Sequence, residues 1–332
     1  MRLRLVAAAI AAFSATSAMP VSAQPAGAPA DGLLAGPHTV VVNDVRLWYR
    51  VAGRAVPGAP PVVFLHGGPG QGSAHFAALT GPRMEPSLRM VYLDQRGSGR
   101  SGRPASGQYS IPLMVDDVEA VRRALGVPRI ALIGHSFGAV LALEYAAKYP
   151  EHASAVVVAA GLWDVPLQSR LRCERTVATF PQVAARVLGD SAGAVARRGD
   201  CDWFWKLPEA EALNNALMFP DSTVRIRLDS VQAASGTRNT GELGAALFRG
   251  GLLQYRFTAA QRLTMPVLVI SGRHDGTAVS EGLRELARGL PNARFLEFPK
   301  SGHFVYLDEP DRFAREVSAF VAPRAPRSLR AR

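Results

Sequence analysis

Two pentapeptides of the form Gly-X-Ser-X-Gly occur in this chain, and one of them sits where the pattern restricts the fold. Gly134-His135-Ser136-Phe137-Gly138 follows residues 129–133, a short apolar run that reads as a buried strand. It precedes residues 139–149, rich in Ala, Leu and Glu and stopped by Pro150, which read as a helix. A serine at such a strand-to-helix turn has a strained backbone, and bulk two residues away would collide with the strand or the helix. Gly134 and Gly138 clear that space. The helix that follows aims its N-terminus at the reacting centre, favouring negative charge on a carbonyl oxygen under attack. Gly189-Asp190-Ser191-Ala192-Gly193 instead follows a helix-like stretch at 183–188 and leads into Arg197-Arg198-Gly199-Asp200, so Ser191 is expected in a loop. Ser136 is the candidate nucleophile.

Around Ser136 the chain alternates short apolar runs with helical patterns. Residues 39–42 and 45–51 read as a hairpin about Asn43-Asp44, and residues 61–65, 90–93, 130–133 and 155–159 as buried strands. Residues 110–125 form the clearest helix, with Ser110 as cap and Val115, Val118, Val121 and Leu125 on one face. The rhythm returns with strand 267–271, helix 280–290, strand 293–298 and helix 308–321. Such alternation implies an α/β fold, a mostly parallel sheet with helices on both faces. The core is then expected over residues 37–161 and 261–322. Residues 162–260 interrupt it with helical patterning and three of the four tryptophans, and read as an inserted helical cap.

Residues 1–23 carry Arg2 and Arg4, an apolar stretch at 5–13 and a small-residue end, Val21-Ser22-Ala23. That is the pattern of a secretory signal, too short to span a membrane, with a retained anchor as the alternative. Residues 24–36 read as a flexible leader and 323–332 as a basic tail. The expected protein is exported, periplasmic or secreted, with no membrane span after cleavage. The formal charge of +11 comes almost wholly from arginine, since only Lys148, Lys206 and Lys300 are lysines. No aromatic-interleaved basic motif accompanies it, so a solvated basic surface is expected and no nucleic-acid partner. Cys173 and Cys201 lie 28 positions apart in the cap segment, where an exported protein could bridge them; two buried thiols are the alternative. Neither has a partner at ligand spacing, so no metal and no cofactor are expected.

Three segments complete the candidate site. His66-Gly67-Gly68-Pro69-Gly70 follows a strand, and a glycine-rich loop there lets backbone amides approach a ligand oxygen. Gly68 N–H and Phe137 N–H are the expected oxyanion donors. Asp275, in Gly272-Arg273-His274-Asp275, and His303, in Ser301-Gly302-His303, each follow a strand at its carboxyl end, where parallel sheets place their chemistry. The order Ser136, Asp275, His303 fits a nucleophile, an orienting acid and a base. Asp164 is a rival acid; His66 is expected to brace its loop, His135 and His274 to pack, and His38, His75 and His152 to lie on the surface or in loops.

These motifs, with Asp94-Gln95-Arg96-Gly97-Ser98-Gly99-Arg100-Ser101, make the chain resemble an α/β-hydrolase of the prolyl iminopeptidase-like group over residues 38–160 and 261–322. Within the resemblance Asp94 and Arg96 brace the loops under the site. It implies release of an N-terminal residue, often proline, from small peptides, with cap acids near the substrate's ammonium because a desolvated cation needs a compensating charge. Glu174, Asp202, Glu209 and Glu211 are the cap acids available, none of them aligned to that role, while Trp163 and Phe137 would supply apolar walls. A carboxylesterase or lactone hydrolase acting on a small ester stays open, since the same groups serve any acyl transfer; a non-catalytic binding protein on the same scaffold is the remote alternative.

Overall fold

A computed structural model describes residues 33–237 and 239–322; the expected signal segment, the leader as far as residue 32 and the basic tail lie outside the described residues. Eight strands form one sheet: β1 (Gly36–Val42), β2 (Val45–Gly53), β3 (Val62–Leu65), β4 (Arg89–Asp94), β5 (Ile130–His135), β6 (Ala153–Ala159), β7 (Val267–Gly272) and β8 (Ala293–Phe298). Their spatial order is β1-β2-β4-β3-β5-β6-β7-β8. The β1–β2 hairpin and its junction with β4 are antiparallel, and every pairing from β4 to β8 is parallel. The hairpin turns on Asn43 and Asp44, both at positive φ, a conformation short polar side chains tolerate. β1 begins at Gly36, inside the stretch read as leader.

The helices are α1 (Ala74–Leu79), α2 (Gly81–Met84), α3 (Ile111–Ala124), α4 (Phe137–Lys148), α5 (Val165–Thr179), α6 (Pro181–Leu188), α7 (Ala192–Arg198), α8 (Ala210–Met218), α9 (Ser222–Ala234), α10 (Glu242–Arg249), α11 (Ser280–Gly289), α12 (Val305–Asp308) and α13 (Pro310–Val321). Two apolar cores sit on opposite faces of the sheet. One packs Val115, Val118 and Val121 of α3, most of α4, and Leu283 and Leu286 of α11 against alternate residues of β3, β5, β6 and β7. The other packs Phe76, Met84, Tyr306, Phe313 and Val317 against the alternate set, Phe64, Tyr92, Ile133 and Ile270. α4 buries almost every side chain, as a helix covered by neighbours on all sides must. Ser110 caps α3 by accepting the Leu113 amide at 3.4 Å.

The sequence order of strands reverses about β3, which lies between β4 and β5. In open parallel sheets that reversal leaves a crevice at the strands' carboxyl ends, because the two following loops diverge to opposite faces. Here the crevice lies between the loop after β3 and the turn after β5.

Between β6 and β7 the chain leaves the sheet and returns close to its exit. Asp164 and Arg256 form an isolated antiparallel bridge, the Val165 amide donates to Tyr255 O at 2.9 Å, and Phe257 N donates to Trp163 O at 2.7 Å. Helices α5 to α10 lie within this excursion, and Cys173 of α5 is bonded to Cys201. Among the described residues no helix is long and apolar enough to cross a membrane.

Candidate active site

Ser136 occupies the turn between β5 and α4 with φ 52° and ψ −119°. A non-glycine residue there is strained by about 1–3 kcal/mol and persists because its surroundings hold it. Its amide donates to Ala159 O of the neighbouring strand at 3.2 Å, and its carbonyl accepts from Leu162 N at 3.0 Å. The turn is possible only without bulk behind it: a Cβ on Gly138 would lie 2.6 Å from the Leu65 carbonyl carbon and closer still to its oxygen. Ser136 retains 7% of its exposure.

The loop after β3 is braced from below. His66 Nε2 accepts from Gln95 N at 3.1 Å and Gln95 Nε2 donates to His66 O at 2.9 Å, so this histidine is held inside the protein. Asp94 accepts Ser73 N and Ser73 Oγ, each at 2.7 Å, and Arg100 N at 2.8 Å. Arg96 is fully buried and bidentate to Asp117, at 2.6 Å on both arms. Gly68 lies at φ +114°, a conformation open to glycine at little cost. Neither Gly68 N–H nor Phe137 N–H finds an acceptor among the described residues. Phe137 is buried while Gly68 is exposed, so the Phe137 amide is the one whose lack of a partner is unusual, and both donors are free to meet an oxygen atom beside the serine.

Asp275 and His303 meet at the carboxyl ends of β7 and β8. His303 Nδ1 and Asp275 Oδ2 are 2.9 Å apart, with the carboxylate fully buried and the imidazole 4% exposed. Asp275 Oδ1 accepts Thr277 N at 2.7 Å and Ala278 N at 2.9 Å, which fixes the carboxylate plane. Asp164, the rival acid, is spent elsewhere: it caps α5 through Leu167 N at 2.8 Å and pairs with Arg256 at 2.7 Å. The His303 backbone is gripped from two sides. Its amide donates to Met218 O at 2.9 Å, and its carbonyl lies 3.1 Å from His135 Nε2. His135 Nδ1 faces the Tyr306 hydroxyl at 3.4 Å, which in turn meets His75 Nε2 at 2.8 Å. Burial holds His135 well below the usual histidine range and takes His75 down to about 3, so both imidazoles are neutral. Neutral His135 can donate from Nε2 to His303 O only if Nδ1 is the acceptor, and Tyr306 supplies that hydrogen.

His75 is thus a buried partner of Tyr306 and not a surface residue: in α1 it turns inward beside Phe76, away from solvent. His274 departs in the other direction; its ring is exposed, while its amide ties the two loops by donating to Ser301 O at 2.9 Å. Ser191 is exposed and donates to Leu188 O, and a helix follows it, but no strand precedes it.

The cap acids do not converge on Ser136 as free carboxylates. Glu174 pairs with Arg170 at 2.8 Å, one turn away on α5; Glu209 pairs with Arg186; Glu211, 85% exposed, faces Arg225 at 3.6 Å. Asp202 is exposed. Three of the four acids are thus paired with arginines of the cap, and Asp202 has no salt-bridge partner among the described residues. Trp163 anchors the stem, donating from Nε1 to Gly282 O at 3.1 Å. Two groups beside the site had no motif to announce them. Asp308 accepts Gly302 N at 2.8 Å, and burial raises its carboxyl to about 6, with Asp221 and Asp275 adding to the rise. The carbonyls of Leu217 and Met218, at the end of α8, take Gly276 N at 2.8 Å and His303 N. Backbone acceptors leave no mark on side-chain identity.

Residues 60–310 match the family described as alpha/beta hydrolase fold. The proline iminopeptidase of Lactiplantibacillus plantarum is 27% identical over 288 residues, spanning 84% of this chain and 98% of that protein. The crystal structure of a proline iminopeptidase-related protein from Thermus thermophilus has a TM-score of 0.68 at 27% identity, covering 86% of this chain and 96% of its own. An enol-lactonase from Burkholderia xenovorans has a TM-score of 0.63 at 24% identity, covering 86% and 100%, a likeness of fold alone.

Proposed function

Because the chain belongs to the α/β-hydrolase fold family, we propose that it is an exported serine hydrolase working through an acyl-enzyme, with Ser136, His303 and Asp275 as its triad. The observation that carries this reading is the pair of unspent amides, Gly68 N–H and Phe137 N–H, beside a strained serine. In the proposed cycle Ser136 Oγ attacks the acyl carbonyl while His303 Nε2 accepts its proton. The two amides receive the oxyanion. His303 then returns the proton to the departing amine or alcohol, leaving an ester on Ser136 that water hydrolyses by the same exchange. Asp275 holds the imidazole with Nε2 free to accept and stabilises its cation.

For the substrate, the proline iminopeptidase relatives support an aminopeptidase releasing N-terminal proline or a similar residue. A carboxylesterase or lactone hydrolase is the second reading, favoured by the pairing of Glu174, Glu209 and Glu211 with arginines, which leaves them poorly placed to take an ammonium. Export is supported by the signal-like segment at 1–23 and by the cysteine pair. Three substrates decide the matter: a prolyl arylamide with a free amine, its N-acylated analogue and a p-nitrophenyl ester. An aminopeptidase loses most of its rate when the amine is blocked; equal rates on the free and blocked amides replace that reading with the esterase. Labelling by a fluorophosphonate that persists in Ser136→Ala removes Ser136 as nucleophile.

A further inference from the structure

Of the cap cations, one is neither exposed nor ion-paired among the described residues: Arg172, on α5. Its guanidinium donates from Nη2 to Asn214 Oδ1 at 2.7 Å and lies over the Trp205 ring at 4.9 Å. Nε and Nη1 have no protein partner and are not sealed off. Burial lowers its basicity and the Asp275 charge restores part of it, which sets the guanidinium within electrostatic range of that carboxylate. A partly desolvated cation with two open donors is suited to receive an anion.

Both elements that hold Arg172 touch the site. It stands one helical turn beyond Gln168, on the same face of α5. Gln168 binds Gly161 O at 2.8 Å and Trp163 N at 2.9 Å, and Leu162 between them donates to Ser136 O. Asn214 stands one turn before Met218, whose carbonyl holds His303 N. Arg172 therefore bridges the helix rooted beside the elbow and the helix seated on the loops of Asp275 and His303.

We propose that Arg172 is the substrate-recognition cation of the cap, pairing with a carboxylate on the substrate away from the bond that breaks. The proposal rests on the serine-hydrolase reading of the same site and narrows its substrates to acidic ones. A short peptide carries such a group on its leaving side, at the C-terminus; a hemi-ester of a dicarboxylic acid carries one on its acyl side. A guanidinium suits this role because its planar fork takes a carboxylate bidentately, which an ammonium cannot.

The test uses two matched pairs of chromogenic esters on the full-length mature protein. Mono-p-nitrophenyl adipate against p-nitrophenyl hexanoate places the charge on the acyl side; the hexanoyl ester of 5-hydroxy-2-nitrobenzoate against p-nitrophenyl hexanoate places it on the leaving side. In one pair the wild type should favour the acidic member, and Arg172→Gln should cut kcat/KM on that member about 10- to 100-fold, chiefly through KM, the loss of a charge-assisted contact. The neutral ester should change less than about threefold, and Arg172→Lys should recover part of the loss. Equal losses on neutral and acidic esters make Arg172 a brace or an electrostatic support of Asp275 and overturn the proposal, as does a wild type indifferent to charge in both pairs. If Arg172→Gln does not fold, adipate must inhibit wild-type hydrolysis of the neutral ester competitively and adipamide must not; equal inhibition refutes it. Turnover of the neutral ester with Ser136 labelling keeps the serine-hydrolase reading standing whichever way Arg172 falls, and absence of both removes that reading first.

Discussion

Replacing Asp275 by asparagine separates the orienting role proposed for this carboxylate from its structural one. Oδ1 accepts Thr277 N and Ala278 N, and an asparagine oxygen keeps both bonds. The third partner, His303 Nδ1 at 2.9 Å, then meets an NH2 group and must become an acceptor. That places the imidazole hydrogen on Nε2, the atom that takes the Ser136 proton in the proposed cycle. The expected fall in kcat is about 10⁴-fold, or roughly 5.5 kcal/mol of barrier, because the variant is held in the wrong tautomer. The expected stability loss is smaller, about 1.5–3 kcal/mol for one charge-assisted hydrogen bond. The assay is steady-state hydrolysis of a p-nitrophenyl ester with the rate of fluorophosphonate labelling, both referred to a thermal melt. Asp164→Asn is the control: asparagine caps α5 about as well as aspartate, so only the ion pair to Arg256 is lost, and kcat should stay within a few-fold. Asp275→Asn activity within tenfold of wild type, or a larger fall for Asp164→Asn, would refute the assignment.

Gly138→Ala should cost about 3 kcal/mol or more, because the new methyl meets Leu65 backbone with no room to yield; an unchanged melting temperature would show the elbow to be looser than described. Cys173→Ser should destabilise the cap by about 3–4 kcal/mol, the chain-entropy value for a 28-residue separation, and wild-type protein from an oxidising compartment should show a mass two hydrogens below the dithiol; free thiols there would sink the bridge. Asp308 has a folded-state pKa of about 6, above the carboxylate's unfolded value of about 4, so folding retains a proton through that window and stability declines as pH rises across it. Asp308→Asn should therefore gain melting temperature relative to wild type between about pH 4 and pH 7, and a constant difference contradicts the burial argument.

The elements that build the sheet were readable because strands buried on both faces must be apolar: Ile130, Leu132 and Ile133, or Val156 to Val158, have few other places in a fold. The elbow was readable because a steric requirement leaves glycine as the residue at 134 and 138. Distances across the chain were not. His75 and Tyr306 are 231 positions apart, and nothing local to either announces a hydrogen bond between them. Helix 308–321 was expected to run unbroken, yet the chain kinks at Pro310 and places α12 before it, bringing Tyr306 and Asp308 under the site. In the cap, acids were visible while their arginine partners on neighbouring turns and helices were not, so available charge and neutralised charge looked alike. Arg172 was one arginine among many until its lack of an acid could be seen.

The stem of the cap has a consequence for how such a protein can diversify. The exit and return segments touch at Asp164 and Arg256, so the ends of the insert lie together at its base. The sheet consequently senses little of the insert's length or content; closing a loop whose ends are already together adds only a slowly growing entropy as residues are added. What the core needs from the insert is local: Trp163 at one side of the stem, Phe257 at the other, and two carbonyls from α8 on the loops of Asp275 and His303. A segment that meets those few conditions is interchangeable as a cassette. The sheet and its loops can stay constant while the insert is exchanged at a single joint.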